Sequence, residues 1–264
     1  WKGAYSLSTG TSTYLTNDVG NWFREQVEAH PEAKWRVALV HKNIFSGSGH
    51  QEDEETPLFR ATMLPIMKEC EIDLMLQGHD HCYEIIGPVN PDTRTPILDA
   101  IEGVEDVPVN MVNNMTGKKG GTFITNDGTL YFIGATCGTK RYNPNHKLTM
   151  EADLDKHKVE NYWDLFTGMF GQPGRPSYST FTVDGNTITV NSYKVYEGID
   201  PMLFNTFYIK RTKEHGAPIS LNQIIEDRGA AKVLYNGRMY ILREDIAYNT
   251  LGQVVVEGDL LSKL

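Results

Sequence analysis

Ile72-Asp73-Leu74-Met75-Leu76-Gln77-Gly78-His79-Asp80-His81 is the stretch on which the fold of this chain turns. An apolar run of strand length, Ile72 to Leu76, ends on a glycine and then on His-x-His. Residues i and i+2 of an extended segment share a face, so the spacing predicts both imidazoles on one side, with Gly78 supplying the sharp turn before them. Such a pair can offer one nitrogen to each of two metal ions about 3.5–4 Å apart, the separation used in two-metal phosphoester hydrolysis. The tetrapeptide by itself also fits two polar loop histidines.

A second apolar, β-branched run, Trp35 to Val40, also ends abruptly on a histidine, His41. Between the two runs, Thr56 and Pro57 open a helix with Leu58, Phe59, Met63, Ile66 and Met67 along one stripe. This is a strand, helix, strand unit. In open α/β sheets ligands gather outside the carboxyl ends of the strands, so His41, His79 and His81 are expected to converge in one cleft.

Upstream, Asn17 and Asp18 are expected to cap a helix bearing Val19, Trp22, Phe23 and Val27, which Pro31 stops. Downstream, Cys82 to Val89 reads as a strand, and the Asn/Gly-rich stretch 103–128 as a surface excursion with Lys118 and Lys119 in a solvated turn. Leu130 to Ala135 reads as a buried strand. Trp163, Leu165, Phe166, Met169 and Phe170 are expected to clip a polar segment onto the body. Ser177 to Val183 and Thr187 to Val195 form a hairpin through Asp184-Gly185-Asn186, and Phe204 to Lys210 closes the main unit. The expected organisation is a main domain over 1–212, a polar linker over 213–229 and a small β-rich tail over 230–264. The tail contains a hairpin turning on Asn236-Gly237 and one more strand within Ala247 to Val256.

With 264 residues, 40% of them hydrophobic, the chain can bury a substantial core. No stretch approaches the ~20 apolar residues of a membrane span. A formal charge of −9 argues against a nucleic-acid backbone as partner. Three cysteines, Cys70, Cys82 and Cys137, form no paired framework and leave the redox compartment open. The start carries no charged, apolar leader, so any signal peptide is expected to lie upstream or to have been removed.

In order and spacing, Trp22-Phe23, Val37-Ala38-Leu39-Val40-His41 with Ile44-Phe45-Ser46-Gly47, and Ile72 to Glu84 around the His pair resemble calcineurin-like metallophosphoesterases, most closely the bacterial form of purple acid phosphatase. Gly128 to Tyr131, Gly138 to Tyr142 and Pro176 to Ser179 are similar to later family segments. The resemblance covers about residues 15–210 and implies the second half of an α/β, metallophosphoesterase-type β-sandwich flanked by helices. It implies metal-dependent phosphoester hydrolysis with two metal ions of the Fe, Zn or Mn kind. His41 and His79 would hold the second metal and His81 the first. His50 would contact substrate phosphate and protonate the leaving group, with a solvated loop histidine as the alternative. The family's Asp-x-His, Gly-Asp and Asn-His motifs have no counterpart in place, since Asp155-Lys156-His157 has no preceding strand, Gly20-Asn21 runs into Trp22, and Gly258-Asp259 ends the tail. The chain therefore reads as part of a longer enzyme whose amino-terminal half supplies the remaining ligands, and as inactive alone. The tail resembles end-of-chain modules of exported Bacteroidetes proteins, which implies a bacterial, extracytoplasmic setting. Two rivals remain: a non-catalytic binding or export module of phosphoesterase shape, and a mononuclear three-histidine metal protein.

Overall fold

The computed structural model describes residues 19–53, 56–110, 115–144 and 162–216, together with four short segments of the tail. The chain divides into two compact units, 1–215 and 216–264.

In the first unit, helix α1 (Gly20–Ala29) precedes β1 (Val37–Leu39), and α2 (Thr56–Glu69) separates β1 from β2 (Leu74–Gln77). The strands β1 and β2 are parallel, Val37 opposite Leu74 and Leu39 opposite Leu76, so the expected strand, helix, strand unit forms. β3 (Tyr83–Val89), β4 (Ile101–Asn110), β5 (Met115–Ile124), β6 (Thr129–Gly134), β7 (Met169–Gly171), β8 (Ser177–Asp184), β9 (Thr187–Lys194) and β10 (Met202–Lys210) complete it. The order is β1-β2-β6-β3-β7-β5-β10-β9-β8, with β4 on β5.

Strand alternation builds two cores on opposite faces of this mixed sheet. Met75 and Tyr131 face Phe59, Met63, Ile66 and Met67 of α2. The intervening Leu74, Leu130 and Phe132 pack with Ile188, Val190, Phe207 and Ile209 of the far strands. Phe132 and Phe207 meet at 5.4 Å between ring centroids. The open sheet thus folds over on itself as a sandwich with helices on one outer face, the α/β arrangement expected from the sequence.

Three expectations are corrected. Asn17 and Asp18, the expected caps of α1, lie outside the described residues, but the expected apolar side of the helix is corrected, since Trp22 is 53% exposed while Val27 is buried. The stretch 103–128 is no surface excursion: it contains most of the β4–β5 hairpin, in which Glu105 faces Lys119 and Asp106 faces Lys118. Glycines at 103, 117, 120 and 121, all with positive φ, break the alternation that would have revealed the strands. The tail holds four antiparallel strands: β11 (Ala231–Tyr235), β12 (Arg238–Arg243), β13 (Ile246–Asn249) and β14 (Val254–Glu257). Its Asn236-Gly237 turn, like Asp155-Lys156-His157 and Gly258-Asp259, lies outside the described residues. No helix among the described residues is long and apolar enough to cross a membrane.

Candidate metal centre

The histidines reach the sheet's carboxyl-terminal edge from three segments. His41 follows β1. His50 lies in a short 3-10 turn, Gly49–Glu52, between β1 and α2. His79 and His81 follow β2. The pair is not the end of an extended strand, because β2 stops at Gln77 and His79 itself takes the left-handed conformation with φ 70°. Gly78 is small for a different reason from the one the sequence suggests. A Cβ there would stand 3.2 Å from the His41 carbonyl oxygen and 3.4 Å from its Nδ1, so glycine lets the two strand ends approach.

The rings of His41 and His79 meet edge to face at 5.3 Å, and His50 stacks on His79 at 3.7 Å. Asp53 completes the group. Its Oδ2 accepts from His50 Nδ1 at 2.8 Å and lies 3.7 Å from His79 Nε2. Ligand atoms of His50, Asp53 and His79 all fall within 4.8 Å of one another, a donor set of nitrogen and oxygen suited to a borderline divalent cation. His81 joins through Tyr142, whose ring lies 4.9 Å from His81 and 5.5 Å from His50. The Lys140 carbonyl accepts from His81 Nδ1 at 3.0 Å, which leaves Nε2 as the free lone pair. Gln172 Nε2 donates to the His81 and Tyr142 carbonyls at 2.9 and 2.7 Å and so fixes that loop.

Burial, then the neighbouring His50, Lys42 and His41 charges, lower the His79 pKa. Its neutral form, the one that binds metal, is thereby favoured. The Cys82 thiol donates to the Tyr142 carbonyl, and burial raises its pKa far enough to make it an inert packing residue.

Asp53 escaped the sequence reading, although a signal existed. Residues i and i+3 eclipse on a 3-10 turn, so the spacing His50-x-x-Asp53 sets the carboxylate beside the imidazole.

Behind the histidines lies Glu84, which is fully buried; Gly47 N–H donates to its Oε1 at 2.9 Å while Oε2 has no hydrogen-bond partner among the described residues. Burial first, and Asp80 second, push its carboxyl up to about 8 from 4.5. The folded state therefore favours the protonated acid: its contribution to stability is complete below 4.5 and is lost as pH rises through about 8. Glu84→Gln, neutral at every pH, should match the wild type near pH 5 and unfold at least about 4 °C higher near pH 9. Thermal unfolding at the two pH values measures this, and an equal Tm difference at both would refute the burial account.

No protein-family profile matches the chain. It is 36% identical over 95 residues to purple acid phosphatase 3 of Arabidopsis thaliana, a match covering 36% of this chain and 23% of that protein. It is 31% identical over 86 residues to purple acid phosphatase 4 of the same plant, covering 33% of this chain and 23% of the relative. The matched segment thus spans under a quarter of either curated relative. The structure of a purple acid phosphatase from yellow lupin (Lupinus luteus) seeds aligns with a TM-score of 0.45 at 14% identity, over 74% of this chain and 28% of that one. Over those segments the chain is similar to plant purple acid phosphatases.

Proposed function

We propose that the complete protein containing this chain is a metal-dependent phosphoester hydrolase, with His41, His79 and His81 holding metal and His50 serving the leaving group. The observation that carries this reading is the meeting of His41, His50 and His79, from three separate segments, within ring distances of 5.3 and 3.7 Å. When bound, two cations of the Fe, Zn or Mn kind would supply the positive field that displacement at phosphorus requires. The chain's own residues orient and move protons. Asp53 holds His50 by Nδ1, leaving Nε2 as the atom that can pass a proton to the departing oxygen. Tyr142 packs between the His50 and His81 rings at that side of the cluster.

We further infer that this chain supplies only part of the site. Three imidazoles and the single Asp53 carboxylate compensate little of the charge of two divalent cations, and Asp80 and Glu84 are buried away from the cluster. Among the described residues β1 pairs on one side only, with Val37 and Leu39 exposed at 45% and 82%, an edge at which further polypeptide can add. The amino-terminal half of the domain would provide that strand and the missing carboxylates. The phosphate ester is the expected partner, and an extracytoplasmic setting rests on the resemblance of the tail.

His50→Ala in the complete protein should lower kcat for a phosphomonoester with a poor leaving group by about 10²–10³-fold and affect a good leaving group such as p-nitrophenol far less. Steady-state kinetics on both esters check this; equal losses on the two would exclude the proton-donor role. The His50, Asp53 and His79 grouping favours a second reading, a single cation at those three residues. Metal analysis separates the two: one ion per complete protein supports the mononuclear site, two the dinuclear one.

A further inference from the structure

Asp80 stands between the two imidazoles of the His pair, where a carboxylate would be expected to face bound cations. It points the other way. Only 1% exposed, it accepts from the Ser46 hydroxyl at 2.5 Å through Oδ2 and from the His50 backbone N–H at 3.3 Å through Oδ1. The left-handed backbone at His79 accompanies this inversion, His79 lying outward in the cluster and Asp80 inward.

The segment receiving those bonds, Ile44 to His50, connects β1 to α2 and has few backbone partners of its own. Side chains of the His79 and His81 segment hold it instead. Gln77 Oε1 accepts from the Ile44 N–H at 2.7 Å, Gln77 Nε2 donates to the Phe45 carbonyl at 3.0 Å, and Glu84 accepts from the Gly47 N–H at 2.9 Å. Tyr162 closes the far side, donating to the Ser46 carbonyl at 2.8 Å. Asp80 is the member of this clamp that bonds the His50 backbone itself, and through Ser46 it meets Glu84, whose Oε1 lies 3.4 Å from the same hydroxyl.

We propose that Asp80 is a positioning residue that ties the His50 loop to the His79–His81 loop through Ser46 Oγ and the His50 amide, so that the leaving-group histidine and the metal-holding histidines keep a fixed separation. A buried carboxylate satisfied by hydroxyl and amide donors is rigid, because leaving those donors unpaired in the interior is unfavourable. Fixed separation matters because a displacement of about 1 Å at a reacting group can cost about 10²-fold in rate. This role rests on the phosphoesterase reading above, but the tether itself can be observed independently of turnover.

Two measurements test it. In the metal-loaded complete protein, Asp80→Ala should lower kcat about 100-fold, with KM within about threefold of the wild type and metal content unchanged. Asp80→Asn, whose Oδ1 can still accept from the His50 amide, should recover about tenfold of that loss. Adding Ser46→Ala to Asp80→Ala should cost little more, since both remove one tether. In this chain, hydrogen exchange at the His50 amide should accelerate in Asp80→Ala at least tenfold more than at amides of the sheet core, which report any global loss of stability. Unaltered exchange at His50, an unaltered kcat, or a kcat loss that follows loss of metal would overturn the proposal. Should Asp80→Ala not fold, Ser46→Ala carries both readouts, with a smaller expected effect. A wild-type protein without metal-dependent phosphate release would overturn the enzymatic reading alone, and accelerated exchange at His50 would then still support the tether.

Discussion

On the proposed phosphoesterase reading, His79→Ala should lower metal-dependent phosphate release from the complete protein by at least about 10³-fold while leaving the fold intact. His79 is the centre of the cluster: its ring stacks on His50 at 3.7 Å, meets His41 at 5.3 Å, and its Nε2 lies 3.7 Å from Asp53. Losing a partner that only orients a metal ligand costs about 10–100-fold, so losing the ligand itself should cost more. The left-handed backbone at position 79 suits alanine slightly less than histidine, so a small fall in Tm with an intact fold is expected. The experiment measures phosphate release and bound metal side by side. Loss of both, with circular dichroism and Tm close to the wild type, is the expected outcome; full activity would remove His79 from the metal site.

The second large effect is on stability, at the opposite end of β2. Asp73 is wholly buried and accepts four donors: the Arg36 N–H at 2.9 Å, Thr125 Oγ1 at 3.0 Å, Arg211 Nη1 at 3.0 Å and His215 Nε2 at 2.8 Å. These tie the entry of β1, the end of β5 and the segment after β10 to one carboxylate. Arg211, 5% exposed, also reaches Glu71 at 2.6 Å. Asp73→Asn sets an amide N–H against donors and removes the charge that compensates a buried guanidinium. Breaking a buried pair from one side typically costs about 3–5 kcal/mol, a large share of a domain's stability. Urea unfolding gives the value directly. A loss below about 1 kcal/mol would mean that Glu71 and solvent compensate Arg211 without Asp73.

The two predictions differ in how much of their basis can be read in the chain. His41, His79 and His81 were legible because they follow apolar runs of strand length, and a strand delivers its last residues to the sheet edge whatever the rest of the molecule does, whereas His50 was named only through the family resemblance. Asp73 was not legible. It sits inside the most informative stretch of the sequence, but its partners Thr125, Arg211 and His215 come from 52 to 142 residues away. The β4–β5 hairpin was missed for a related reason: β5 is stabilised largely by its neighbours, lying parallel to β10 through Thr122 to Ile124 and antiparallel to β7. Its positive-φ glycines erase the local period that would have announced it.

Asp53 and Asp80 mark the same division inside the site. Both lie within three residues of a candidate histidine, yet their roles are opposite, one beside the imidazoles and the other turned into the core. By itself the sequence determined the strand, helix, strand unit and the delivery of His41 and His79 to one edge, while the β2–β6 register put Met75 with Tyr131 in one core and Leu74 with Leu130 in the other. The former follow from periods of two and 3.6 residues, which are local. The tertiary structure alone decided the stacking of His50 on His79, the inward turn of Asp80 and the four-donor knot at Asp73. Each depends on which distant groups meet in a space where an unpaired polar atom is too unfavourable to persist, and no local pattern encodes that meeting.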